Sequence, residues 1–101
     1  MSNVSSYLDV LVSAFSEFLR HQGVSEKTRR NYKGDAKQFL NWVTSITESS
    51  FHRIPATHKE LIALITPKLL KEYKHSLGVS HIPTATINRR LSGIRSFLNF
   101  C

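Results

Sequence analysis

Two stretches of this 101-residue chain gather side chains suited to one chemistry, the recognition of a polyanion. Lys27, Arg29, Arg30, Lys33 and Lys37 crowd the first, with Thr28 among them, and Asn88, Arg89, Arg90, Ser92 and Arg95 fill the second. Together they hold eight of the 14 lysines and arginines. Ammonium and guanidinium ends displace the counterions condensed on DNA phosphates, which gives affinity with a steep salt dependence. Arginine can also fork onto the edge of a guanine, and an asparagine such as Asn88 can pair with adenine in the major groove. A helix that presents Asn, Arg and Ser together resembles a reading surface more than a generic Glu/Lys face. The plainer alternative is that a basic helix face is only solvated.

The remaining composition narrows the field. The net charge of +7 calls for an acidic partner: nucleic acid, a membrane surface or an acidic protein. No stretch approaches the ~18 consecutive apolar residues of a membrane span. The N-terminus lacks the basic region and apolar run of a signal peptide, and the single cysteine, Cys101, excludes an internal disulfide, so a cytoplasmic location is expected. His21, His52, His58, His75 and His81 include no i, i+4 pair, and Gly23, Gly34, Gly78 and Gly93 are isolated. No local metal motif or phosphate-binding glycine loop follows, and no cofactor or small-molecule ligand is expected. No nucleophile–base spacing is visible either; Tyr32 and Tyr73 fall on apolar stripes and suit core packing.

The elements that must position these residues are helical. Leu8, Leu11, Val12, Phe15, Phe18 and Leu19 recur at helical spacing from Ser6 to His21, with Ser6 and Asp9 as a capping pair and Gly23 as a stop. Ser25 caps a second helix reaching about Ile46, with Tyr32, Ala36, Phe39, Leu40, Val43 and Ile46 on its apolar arc and Trp42 beside it. Glu48 to Thr57 reads as a loop, and His58 to Ile65 as a candidate short helix. Thr66-Pro67 opens a helix carrying Leu69, Leu70, Tyr73 and Leu77, and Gly78 is expected to close it in a left-handed conformation. A last helix starts near Pro83 or Thr84, with Ile87, Leu91, Ile94 and Leu98 inward and Asn88, Arg89, Ser92, Arg95, Ser96 and Asn99 on its polar arc. Arg90, near the apolar margin, suits packing or pairing with an acid. The expectation is one all-α domain over residues 1–101, a compact bundle of four main helices with a short fifth.

Two segments resemble a known family. Val24-Ser25-Glu26-Lys27-Thr28-Arg29-Arg30-Asn31-Tyr32-Lys33, followed by Asp35, Phe39 and Leu40, resembles the second helix of phage integrases and Xer-type recombinases. Thr86-Ile87-Asn88-Arg89-Arg90-Leu91-Ser92-Gly93-Ile94-Arg95-Ser96-Phe97 is similar to the last helix of the same domain. The third main helix, opening Ile65-Thr66-Pro67 and carrying Leu70 and Tyr73, also fits. The likeness runs from about Leu8 to Cys101 and rests on the order and spacing of these segments together. It implies the N-terminal core-binding (SAM-like) domain of a tyrosine recombinase, with the second and fourth helices lying across duplex DNA. In that family a separate C-terminal domain supplies the tyrosine nucleophile and the phosphate-stabilising arginines. The resemblance therefore implies no catalytic role for Tyr7, Tyr32 or Tyr73, a non-enzymatic fragment, and assembly with other recombinase protomers at paired sites.

Three functions compete on these grounds. The first is duplex DNA binding within a recombinase, for integration or recombination, with Lys27, Thr28, Arg29, Arg30, Lys33, Lys37, Asn88, Arg89, Ser92 and Arg95 as the contacting residues. The second is a stand-alone helical module whose basic face meets an acidic protein. The third, single-strand or RNA binding, is disfavoured because it needs exposed aromatic platforms, and most aromatics here lie on core stripes.

Overall fold

The computed structural model describes residues 4–51 and 58–101. They form α1 (Val4–His21), α2 (Glu26–Phe51), α3 (His58–Leu64), α4 (Pro67–Val79) and α5 (Thr84–Phe100), with no strand among the described residues. The all-α bundle with a short fifth helix is the architecture expected. No described helix is long and apolar enough to cross a membrane.

The helix ends show where local chemistry sets the boundaries. Thr28 N–H donates to Ser25 Oγ at the start of α2, and Leu69 N–H donates to Thr66 Oγ1 at the start of α4, with Pro67 in its first turn. Gly23 takes a positive φ of 77° after α1, while Gly23 N–H donates to Arg20 O and Val24 N–H to Leu19 O. These two hydrogen bonds make a Schellman closure, fastened by the apolar pair Leu19 and Val24.

Three boundaries depart from expectation. Helix α1 begins at Val4, so Ser6 lies within its first turn and does not cap it; with no breaker upstream, the helix simply starts earlier. Helix α2 continues to Phe51, through part of the expected 48–57 loop, whose residues 52–57 lie outside those described. Serine and threonine disfavour a helix by only roughly 0.5 kcal/mol each relative to alanine, too little to stop one without Gly or Pro. Gly78 stays helical, and His81 takes the left-handed position instead, with φ 62°. His81 N–H donates to Gly78 O and Ile82 N–H to Leu77 O. Leu77 is buried and Ile82 packs against the core, so the turn falls at the residue that lets both apolar side chains face inward.

All five helices feed one core. Leu8, Val12, Phe15 and Leu19 of α1 meet Phe39, Leu40 and Val43 of α2, Leu61 of α3, Tyr73 and Leu77 of α4, and Ile87, Leu91, Ile94 and Phe97 of α5. Two aromatic groups tie the bundle. Phe15 meets Phe97 edge-on at 5.2 Å between ring centroids, and Tyr73 of α4 lies 5.0 Å from both Phe39 and Trp42 of α2. Phe18, placed on the apolar stripe by its spacing, keeps 37% of its surface exposed and leans on Phe100 at 5.1 Å. Fully buried rings such as Phe15, Phe39 and Phe97 contribute roughly 2–3 kcal/mol each. The exposed pairs Arg20–Glu17 and Arg30–Glu26 contribute about 0–1 kcal/mol. The core, not the surface charge, therefore holds the fold.

The two left-handed positions differ in one testable respect. His81→Gly removes a Cβ from a conformation that penalises it and is expected to raise the unfolding free energy by about 0.5–1 kcal/mol in urea denaturation. Gly23→Ala, with open space around its Cβ but φ 77°, should lower it by about 1 kcal/mol.

Candidate nucleic-acid interface

Helices α2 and α5 share the most extensive contact among the described residues. At its centre lies Asp35, a buried carboxylate facing α5. Its Oδ1 accepts from Arg89 Nη2 at 3.0 Å, and its Oδ2 has no hydrogen-bond partner among the described residues. Gly93 permits this approach: a Cβ there would stand 3.0 Å from Asp35 Oδ2, 3.1 Å from Tyr32 Cδ1 and 3.3 Å from Asp35 Cβ. One turn before Gly93, Arg89 keeps 41% of its side chain exposed while anchored to a carboxylate that is 5% exposed. Arg90 tucks inward, as its margin position suggests, with a buried Nε that lacks a partner among the described residues.

The seam sorts the candidate side chains into rows. On α2, Lys27 lies eight residues before Asp35, which at 3.6 residues per turn puts it about 80° further round the helix, so it stands on the outer surface of α2 rather than at the seam. Arg30, Lys33 and Lys37 form a row on another flank; Lys37 lines a small cavity with Leu8, Asp9 and Val12 of α1. Lys27, Lys33 and Lys37 are exposed and have no ion pair among the described residues, whereas Arg30 donates to Glu26 at 3.1 Å. Thr28 and Arg29 are half-buried, and the Thr28 hydroxyl accepts from Ser25 Oγ at 3.1 Å. On α5, Arg89 points to α2, while Asn88, Ser92 and Arg95, spaced four and three residues apart, follow the opposite flank. Asn88 lines an open groove there with Lys71, Lys74 and His75 of α4. The structure thus holds Arg89 at the seam, leaves Lys27 on the outer surface of α2, and sets the Lys33–Lys37 and Asn88–Arg95 rows on the two sides of the seam.

The family model of the phage integrase N-terminal SAM-like domain matches residues 12–101. The chain belongs to this family. No curated protein and no solved structure matches it.

Within this integrase domain, sequence reasoning picks out the exposed cations but misses the group that organises them. In the sequence Asp35 stands as one of two acids in the basic first half of the helix and as part of the family resemblance, with nothing to mark its pairing. Its spacing from the apolar residues Tyr32, Ala36 and Phe39 is the available signal that it turns inward. The α4 lysines are missed too, because Glu72 breaks their run in the sequence although it does not line the groove. Among the described residues no cluster of three His, Cys, Asp or Glu could hold a metal. His21, His75 and His81 are exposed, while the side chains of His52 and His58 fall outside what is described.

Burial raises the Asp35 pKa above the ordinary aspartate value, outweighing the attraction of Arg89 and then Arg90. A carboxyl whose pKa is raised by folding binds protons more readily in the native state, so its ionisation costs stability. The stability of the native sequence relative to Asp35→Asn should therefore fall as pH rises from below the ordinary aspartate range through the raised value, then level off. Paired urea titrations across acidic pH would show this. Gly93→Ala should lower stability by about 1–2 kcal/mol despite alanine's better helix propensity, because Asp35 Cβ is fixed to its backbone and α2 would have to move. Thermal unfolding followed by circular dichroism measures it.

Proposed function

We propose that this domain binds duplex DNA through α2 and α5, as the gripping half of a site-specific tyrosine recombinase. The observation that carries the reading is the α2–α5 seam. A single buried carboxylate, paired with an arginine, fixes two helices side by side. Their outward rows hold Lys27, Lys33, Lys37, Asn88, Arg89, Ser92 and Arg95, and the exposed acids beside them among the described side chains include Glu26, paired with Arg30, and Asp9, which shares a cavity with Lys37. The exposed lysines, with Arg29 and Arg30, would neutralise phosphates. Arg89 is pre-oriented by Asp35 for a fork onto a guanine edge, and Asn88 would face adenine. Thr28 would lie at the margin of the contact, since its hydroxyl is engaged at the N-terminus of α2.

The chemistry of strand exchange would fall to a separate catalytic domain of the parent protein, and further recombinase protomers would join this one on the DNA. One domain alone makes few phosphate contacts, so an affinity in the non-specific range, ~10⁻⁴ to 10⁻⁶ M, is expected. An acidic protein is the rival partner, and the rows that fit phosphates would serve it too.

Fluorescence anisotropy with duplex DNA at several salt concentrations separates the two. Lys33→Ala and Lys37→Ala should each weaken binding to every sequence and flatten the slope of log K against log salt by about 0.9. Asn88→Ala and Arg89→Ala should change preference among sequences. Absence of duplex binding at low salt and high protein concentration would overturn the DNA reading in favour of the acidic protein.

A further inference from the structure

The groove between α4 and α5 is a feature that the α2–α5 reading leaves unused. It encloses about 550 Å³ and is open to solvent. Helix α4 lines it with Lys71, Lys74, His75 and Gly78, and α5 with Thr84, Ile87 and Asn88. Lys71, Lys74 and Gly78 are separated by three and four residues and so form one stripe of α4. Among the described residues no carboxylate lines the groove, and neither lysine has an ion pair. Glu72 and Lys68 of the same helix do not line it. Gly78 contributes no side chain at the end nearest Thr84, and a Cβ there would meet nothing within 4 Å. Lys71 and Lys74 make one wall cationic, while the exposed Val79 and the buried Ile87 form the apolar part of the lining.

We propose that this groove is a second seat for the phosphate backbone of duplex DNA, with Lys71 and Lys74 as its phosphate ligands. The inference rests on the duplex-binding reading and adds a third helix to the footprint. Its basis is the position of α5 between two cationic flanks. Arg89, held by Asp35 and part-exposed, stands on the α2 side of α5, and Lys71 and Lys74 stand on the α4 side. A helix with its side chains is about 10–12 Å across, and neighbouring helices pack about 8–10 Å apart. The major groove is about 12 Å wide and is bounded by a phosphate strand on each side. A helix lowered into that groove needs a cation on both flanks, because each flank faces a different strand. The arrangement supplies both, Arg89 on one flank and Lys71 with Lys74 on the other, with Asn88 lining the groove beside the lysines. Phosphate is also the ligand that suits paired ammonium groups without a planar fork, since lysine acts on it as a point charge.

The test compares two charge-matched variants of the full chain by anisotropy against a random-sequence duplex. Lys71→Ala/Lys74→Ala removes both groove lysines, and Lys59→Ala/Lys68→Ala removes two exposed lysines that do not line it. All four positions are exposed on helices, so alanine leaves the core untouched, and circular dichroism checks that the fold is retained. The groove variant should flatten the salt slope by about two units, one for each phosphate left without its lysine, while the control keeps the native slope. Equal slopes for the groove variant and the native chain, with Lys33→Ala still flattening it, would overturn the proposal and leave the α2–α5 reading standing. Equal flattening in both double variants would also overturn it, since the effect would then be one of net charge. A native chain that binds no duplex at all would overturn the functional reading first and this proposal with it.

Discussion

A buried carboxylate pressed against a glycine holds the functional geometry of this domain together. Asp35 gives up water for one arginine contact and the proximity of a second guanidinium, and its remaining oxygen lies where any side chain on Gly93 would have to go. Burying charge is costly, and a partly paired ion contributes little to stability. What it contributes is orientation. Apolar stripes alone would let α5 slide or rotate against α2 at small cost, whereas one ion pair and one missing Cβ fix both the register and the separation. Every cationic row described above is positioned relative to that point.

The rest of the bundle supports the same end by simpler means. The rings of Phe39, Trp42 and Tyr73 brace α4 against α2, and Phe15 with Phe97 braces α1 against α5. Two Schellman closures, at Gly23 and His81, turn the chain sharply enough that α1 leads directly into α2 and α4 into α5. The helices bearing surface cations are consequently each bound on their inner side by aromatic or aliphatic packing that does not depend on salt.

Much of this is legible in the sequence because helical spacing and caps are local signals. Leu8, Val12, Phe15 and Leu19 on one stripe, Ser25 and Thr66 as caps, and Pro67 in a first turn all state their roles within a few residues. What escapes is decided at longer range. Gly78 has the character of a turn residue, yet the inward placement of Leu77 and Ile82 gives that position to His81. The weak helix preferences of serine and threonine near residue 48 cannot stop α2. The two basic helices of an integrase domain are visible in the sequence, but the division of their side chains between flanks depends on which way Asp35 and Arg89 turn. That pairing joins residues far apart in the chain, and no periodicity reveals it. The grouping of Asn88 with Lys71 and Lys74 is of the same kind.

The distance along the chain from Asp35 to Arg89, 54 residues, has a kinetic meaning. Individual helices and their turns form from neighbours and can arise early, in microseconds, with their lysines already in place. The seam cannot, because a long loop must close before its contacts return any free energy. A partly collapsed chain therefore carries the full charge of the native protein without its ordered surface. It could adhere to a polyanion, but only the completed fold holds Arg89 against Asp35 and Asn88 beside the α4 lysines in one fixed arrangement.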